Sequence, residues 1–342
     1  MIYGLRVVAV GGGTGLAALL TGLKQFVDPP DSPSHSGESV YFADLSALVT
    51  VTDDGGSSGR LRDELQILPP GDIRNCLLAL SSDESLLSSL FQYRFKGDGG
   101  LGGHNFGNLF LAALTSVTGD FYSAVRAASH VLAIEGRIFP STTQSVSLVA
   151  ELEDGSEVRG ETRISASTET IRSVRLDPPD CPPLEDSLAA IEKADLILIG
   201  PGSLYTSLIP NLLVPGVAEA VSRSQALVVY LSNIMTQPGE TTGYSVRDHV
   251  EALLGHCPEL ELSFVLANGT AVPEPTRERY RSEGAEQVTF SPADETALPC
   301  PILVEDLLGS GEPVRHDGRK AAEALQALFP RARFEATRRL TR

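Results

Sequence analysis

The sequence predicts an α/β protein whose sheet is mostly parallel, with helices on both faces and a β-hairpin insertion, and three observations carry that prediction. Short apolar runs at 5–10 and 195–199 each end on a glycine-rich turn that leads into residues at helical apolar spacing. A third run, Leu48-Val-Thr-Val-Thr, stops at Asp53-Asp54-Gly55-Gly56-Ser57-Ser58, so polar residues gather past a strand end, where parallel sheets place ligands. Between 145 and 175 the texture changes to alternation around Asp154-Gly155, a hairpin signal.

Composition narrows the function classes. With 342 residues and 42% hydrophobic content, one α/β domain over 1–342 is expected, with a basic tail at 331–342. The 27 basic and 44 acidic residues leave a net charge of −17, which argues against nucleic acid or an anionic membrane as partner. Any phosphate site must be a local exception to that field. Cys76, Cys181, Cys257 and Cys300 are far apart and match no metal or redox spacing, so ordinary thiols in a reducing compartment are expected. The glycine turn interrupts the N-terminal apolar run before it resembles a secretory signal, and no apolar stretch reaches about 18 residues. A cytoplasmic protein without membrane insertion follows.

The first turn, Gly11, Gly12, Gly13, Thr14 and Gly15, lets main-chain amides approach an anion at a helix start. Leu16 stands where the dinucleotide fingerprint needs its third glycine, and no Gly-Lys-Ser/Thr follows, so neither standard nucleotide motif is met. Asp28–Glu38 reads as an exposed loop with a solvated His35. After the strand from Val40, Asp53 and Asp54 either cap a helix or hold a metal or ligand hydroxyls, while Gly56, Ser57 and Ser58 offer donors to anionic oxygen. Pro69–Asn75 starts the next helix; Arg74 is either a surface charge or a phosphate clamp, with Asn75 beside it.

The densest glycine segment, 97–108, brings His104, Asn105 and Asn108 before an apolar helix at Leu109–Val117. His104 is either a satisfied structural residue or a proton carrier. A helix is expected over Asp120–Ile134, the insertion over 145–175 and another helix over Leu184–Ala194. Gly200, Gly202 and Ser203 then repeat the opening theme as a second anion cradle. The strand at Ala226–Ser232 ends in a polar set, Asn233, Thr236, Gln237 and Glu240. A helix over Val246–Leu254 and a strand over Leu260–Leu266 follow, and the charged stretch 273–286 reads as a solvated, mobile face. Arg315-His316-Asp317-Gly318 precedes a last helix ending at Phe329.

Six segments together resemble the YvcK-type gluconeogenesis factor family, in the CofD-like superfamily. They are Gly-Gly-Gly-Thr-Gly-Leu at 11–16, Thr-Asp-Asp-Gly-Gly-Ser-Ser-Gly-Arg-Leu-Arg at 52–62, Pro-Pro-Gly-Asp-Ile-Arg-Asn-Cys-Leu at 69–77, Gly-His-Asn-Phe-Gly-Asn-Leu at 103–109, Pro-Gly-Ser-Leu-Tyr-Thr-Ser at 201–207 and Asn-Ile-Met-Thr-Gln-Pro-Gly-Glu-Thr at 233–241. The resemblance implies a Rossmann-like fold and a UDP-sugar ligand, especially UDP-N-acetylglucosamine, with no cofactor required. It implies a role in cell shape and cell-wall precursor supply on gluconeogenic carbon, through a cell-wall or regulatory protein partner, and a homo-oligomer is compatible with it. It places sugar-nucleotide contacts at Tyr244 and Arg315; on residue chemistry alone these equally suit a helix start and a surface ion pair. An alternative reading is a transferase using Mg²⁺ on Asp53 or Asp54 to neutralise a diphosphate leaving group. An NAD-binding protein ranks behind both, because no ribose-binding acid is clearly placed after the second strand.

Overall fold

The computed structural model describes residues 3–28, 40–82 and 86–340. Beyond Asp28, the loop expected at 28–38, with His35, lies outside the described residues.

The amino-terminal half builds one side of the main sheet. Strand β1 (Tyr3–Gly11) runs into helix α1 (Gly13–Leu23), and β2 (Val40–Val49) pairs beside β1 in parallel. Helices α2 (Gly56–Leu65), α3 (Gly71–Leu80), α4 (Leu86–Gln92), α5 (Phe106–Thr118) and α6 (Phe121–Val131) follow before the short edge strand β3 (Arg137–Pro140). Helix α5 starts three residues ahead of expectation, at Phe106, because Asn105 caps it by accepting the Asn108 N–H at 3.2 Å.

The insertion is a three-stranded antiparallel sheet rather than a lone hairpin. Strands β4 (Ser147–Leu152) and β5 (Glu157–Arg159) flank the expected turn, where Gly155 takes φ +80°, helix α7 (Glu161–Ser165) follows, and β6 (Ile171–Asp177) pairs on the other edge of β4.

The chain then returns to the main sheet: α8 (Glu185–Glu192), β7 (Leu196–Ile199), a π-turn at Leu204–Leu208, α9 (Ile209–Leu212), α10 (Val217–Arg223) and β8 (Leu227–Leu231). After them come α11 (Val246–His256), β9 (Phe264–Asn268), α12 (Glu274–Ser282), α13 (Pro292–Ala297), β10 (Ile302–Glu305) and α14 (Gly318–Leu340). Two expectations are corrected here. The stretch 273–286 contains helix α12, its exposed charges lying on a regular element, and the last helix continues through the segment read as a tail, to Leu340.

The seven main strands order as β10-β9-β8-β7-β1-β2-β3 and every pair is parallel. Val7–Val10, Leu196–Ile199 and Val228–Leu231 are buried on both faces, as a parallel sheet covered by helices requires. From β1 the chain builds outward through β2 to β3, then crosses back and builds from β7 to β10 on the other side. The order therefore reverses between β1 and β7, and a ligand crevice is expected at their carboxyl ends. Among the described residues no single helix is long and apolar enough to cross a membrane; the bent pair 204–212 and 217–223 is largely buried in the core. All four cysteines are buried and unpaired.

Candidate functional site

The crevice at the reversal point is built by the two glycine turns, which meet. Gly12 is extended at the start of α1, and Gly13 takes φ +62°, a conformation open to glycine at little cost. A Cβ on Gly15 would lie 3.0 Å from the Pro201 carbonyl, so the bare backbone of the first turn is what lets the second come alongside. Fully buried Asn211 ties them: its Nδ2 donates to Gly11 O at 2.9 Å and to Ser207 O at 2.7 Å. From the end of β8, Gln237 Nε2 donates to Ser203 Oγ at 2.9 Å, bringing a third loop to the same place.

These loops enclose a cleft of about 290 Å³. Of the residues singled out from the sequence, Gly12, Gly13, Thr14, Gly15, Gly202, Ser203, Asn233, Thr236, Gln237 and Arg315 line it. The Asn233 Oδ1 and Gln237 Oε1 acceptors are buried without a protein partner, so they are open to donors on a ligand. Thr236 also has a framework role, its amide donating to Glu286 O and its hydroxyl accepting the Glu286 N–H. Exposed Arg315 overhangs the cleft, where a guanidinium suits a diphosphate.

A second hollow of about 450 Å³ adjoins it, sharing Thr14, Ala18 and Arg315, and is lined further by Arg74, Asn75 and Asn105. Behind it lies a buried polar network. Ser57 Oγ is 3.1 Å from His104 Nδ1 and accepts from Asn108 Nδ2 at 3.2 Å, while Arg74 donates to Asn108 Oδ1 at 3.0 Å and to Asn75 Oδ1 at 2.7 Å. Burial, with Arg60 nearby, pulls the His104 pKa below its ordinary value, so at neutral pH the ring is uncharged and serves this framework. Gly11, Ser57, His104 and Asn108 thus support the cleft from behind rather than line it, whereas exposed Gly56 and buried Ser58 line neither hollow.

Three further predicted residues lie outside both hollows. Asp54 turns to the insertion, where its Oδ1 accepts the Thr162 amide at 2.9 Å and hydroxyl at 2.7 Å; the three-stranded insertion therefore braces the site instead of standing apart. Asp53 Oδ1 accepts the Gly55 N–H at 2.8 Å, so the two neighbouring carboxylates bond to different partners. Among the described residues no group of three His, Cys, Asp or Glu side chains is arranged to hold a metal. Tyr244 lines neither hollow: its hydroxyl is 2.8 Å from that of Tyr205, and its ring stands edge-on to His249.

The structure adds residues that the sequence reading passed over. Tyr280, from the stretch taken as a solvated face, lines the cleft and accepts the Val314 N–H at 2.9 Å, anchoring the segment that carries Arg315. His316 follows, bonded through Nε2 to Ser232 O and pushed down to about 4 by burial. Asp72, first read as a cap, faces the first turn: it accepts the Gly13 N–H, and a Cβ on Gly12 would be 2.7 Å from its Oδ2. Burial and then the Asp53 charge raise its pKa to about 6. Glu161 on α7 is raised to about 9, by burial first and then by Asp53, Asp72, Glu240 and Asp54. A carboxylate thus rests against an amide of the phosphate-loop type.

Residues 7–308 match the family model described as 2-phospho-L-lactate transferase CofD. The chain belongs to the CofD family. Among CofD-family relatives it is similar to a gluconeogenesis factor of Halalkalibacterium halodurans, 45% identical over 95% of this chain and 97% of that protein. The gluconeogenesis factor of Bacillus subtilis is 44% identical over 95% of this chain and 98% of its own length. A crystal structure of a UPF0052 family member from Bacillus halodurans matches with a TM-score of 0.87 at 45% identity, covering 94% of this chain and 99% of that one. The matched span holds both glycine turns, the Asp53–Ser58 segment and the insertion; Arg315 and α14 lie beyond it.

Proposed function

We propose that this protein binds a nucleoside-diphosphate sugar, UDP-N-acetylglucosamine or a close relative, with the pyrophosphate between the two glycine turns. The observation that carries the reading is the convergence of those turns on one cleft at the reversal of strand order. Amides at the start of α1 and beyond β7 supply donors for phosphate oxygens, and Arg315 supplies a bidentate cation. Asn233 and Gln237 offer acceptors to sugar or base hydrogens. Mg²⁺ on Asp53 or Asp54 belongs to the transferase reading below.

The names of the relatives support a role as a gluconeogenesis factor, and we extend it to the supply of cell-wall precursors and the maintenance of cell shape on gluconeogenic carbon. The protein works in the cytoplasm as a ligand-dependent regulator of another protein, alone or as a homo-oligomer. The family description favours one second reading, transfer of a phosphate-linked group.

Titration calorimetry with UDP-N-acetylglucosamine, in competition with GDP and NAD, tests the first reading: saturable binding that UDP-sugars displace best is expected. No UDP-sugar binding by folded protein overturns it. Mass spectrometry after long incubation with Mg²⁺ and acceptor alcohols separates the two readings, since an unchanged ligand opposes transfer.

A further inference from the structure

The hollow beside the main cleft differs from its surroundings in charge. In a protein of net charge −17, it is lined by three arginines, Arg74, Arg94 and Arg315, and by no carboxylate. Its other polar walls are Thr14, Thr21, Asn75, Gln92 and Asn105, all neutral. Arg74 is held in place through both terminal nitrogens, by Asn108 and Asn75, while its Nε is buried with no partner. Burial, then the charge of Arg94, lowers the Arg74 pKa from its ordinary value, against the pull of Asp72 and Asp53 behind it, and both guanidinium groups line the hollow. Arg94 is anchored by a 2.6 Å bond to Gly103 O and keeps further donors for a ligand. Three cations lining a space of about 450 Å³ with no carboxylate in its wall are stabilised when an anion enters it.

The hollow opens into the proposed diphosphate cleft along Thr14 and Arg315, so one ligand can reach both. We propose that it takes a second anionic group, a carboxylate or phosphate, lying beyond the pyrophosphate held by the glycine turns. This rests on the diphosphate reading of the main cleft and refines it: the preferred ligand is an acidic nucleotide sugar, or a neutral one bound together with a small acid. The global field of the protein repels an added negative charge, so a preference for acidic ligands has to arise locally.

Two ligands that differ only at one carbon test this. Titration calorimetry compares UDP-glucose with UDP-glucuronic acid, and UDP-glucose is repeated with millimolar inorganic phosphate. The expected result is binding of UDP-glucuronic acid tighter than UDP-glucose by about tenfold. Arg94→Gln abolishes that preference and leaves UDP-glucose affinity unchanged, and Arg94→Lys keeps part of it. If phosphate instead tightens UDP-glucose, and Arg94→Gln removes the effect, a separate small acid is the source of the anion. Equal or weaker binding of the acidic sugar, with no phosphate effect while UDP-glucose still binds, overturns the proposal and leaves the diphosphate reading intact. Failure of folded protein to bind UDP-glucose or UDP-glucuronic acid overturns both.

Discussion

Replacing Asp72 by Asn stabilises the protein at alkaline pH and strengthens its hold on a diphosphate. The folded chain keeps the Asp72 proton up to about pH 6, against an ordinary value of 3.8, because burial and the Asp53 charge oppose ionisation. Between those values the folded state binds more protons than the unfolded one, so stability is lost as pH rises from 4 through 6. Raising the carboxyl from 3.8 to about 6 at 1.36 kcal/mol per tenfold change in proton affinity amounts to at most about 3 kcal/mol at pH 8. Asn carries no such cost, and its amide oxygen still accepts the Gly13 N–H. With an unfolding entropy of about 2.1 cal/mol/K per residue, the variant melts up to about 4 °C above the parent at pH 8, with a gap worth less than about 1 kcal/mol at pH 4. When ionised, the same carboxylate repels a phosphate oxygen brought to the Gly12–Gly13 turn. UDP-glucose, which has no titrating group in this range, therefore binds the parent more tightly as pH falls through 6, and binds Asp72→Asn with little pH dependence. Scanning calorimetry at pH 4 and 8, with isothermal titration across the same range, reads both effects. An Asp72→Asn protein that melts below the parent at pH 8, or keeps the parent's pH-dependent affinity, refutes the reasoning.

Other variants probe separate parts of the site. Asn211→Ala removes the side-chain donor shared by the Gly11 and Ser207 carbonyls, leaving Gly11 O with the Thr50 N–H, which costs about 1–3 kcal/mol in denaturant unfolding and weakens UDP-sugar binding with it. Gly12→Val sets a Cβ 2.7 Å from Asp72 Oδ2 and 2.8 Å from Thr50 Cγ2; the turn is displaced, and calorimetry finds no UDP-sugar binding. Arg315→Ala removes an exposed side chain, so melting stays within about 1 °C while UDP-sugar affinity falls by about tenfold or more. Thr162→Val takes the hydroxyl from Asp54 and costs about 1–2 kcal/mol, with faster amide exchange in α7 as the local signature.

What the sequence made legible is what local chemistry controls. Apolar runs ending in glycine gave β1, β7 and the turns beyond them, and their shared role followed from the rule that ligands sit where strand order reverses. Strands β3 and β10 escaped because, unlike the equally short β7, neither is a wholly apolar run ending on a glycine-rich turn. Helix α12 is polar on every side and buries none of its residues, so its sequence carries no apolar stripe; only the fold brings Tyr280 over the cleft. Asp54 beside Asp53 looks like ligand chemistry in one dimension, whereas its partner Thr162 lies 108 positions away on the insertion. Asp72 was visible as a helix-start acid, but its contact with Gly13 depends on α3 packing against α1.

The central claim is that main-chain amides from two turns together grip a pyrophosphate. Comparing UDP with UMP by isothermal titration against the unmodified protein tests it most directly, because the ligands share base and ribose and differ by one phosphate. UDP is expected to bind at least about 100-fold more tightly, the difference that follows when two or more charge-assisted hydrogen bonds disappear. Equal affinities for UDP and UMP, or no binding of UDP to folded protein, contradict it.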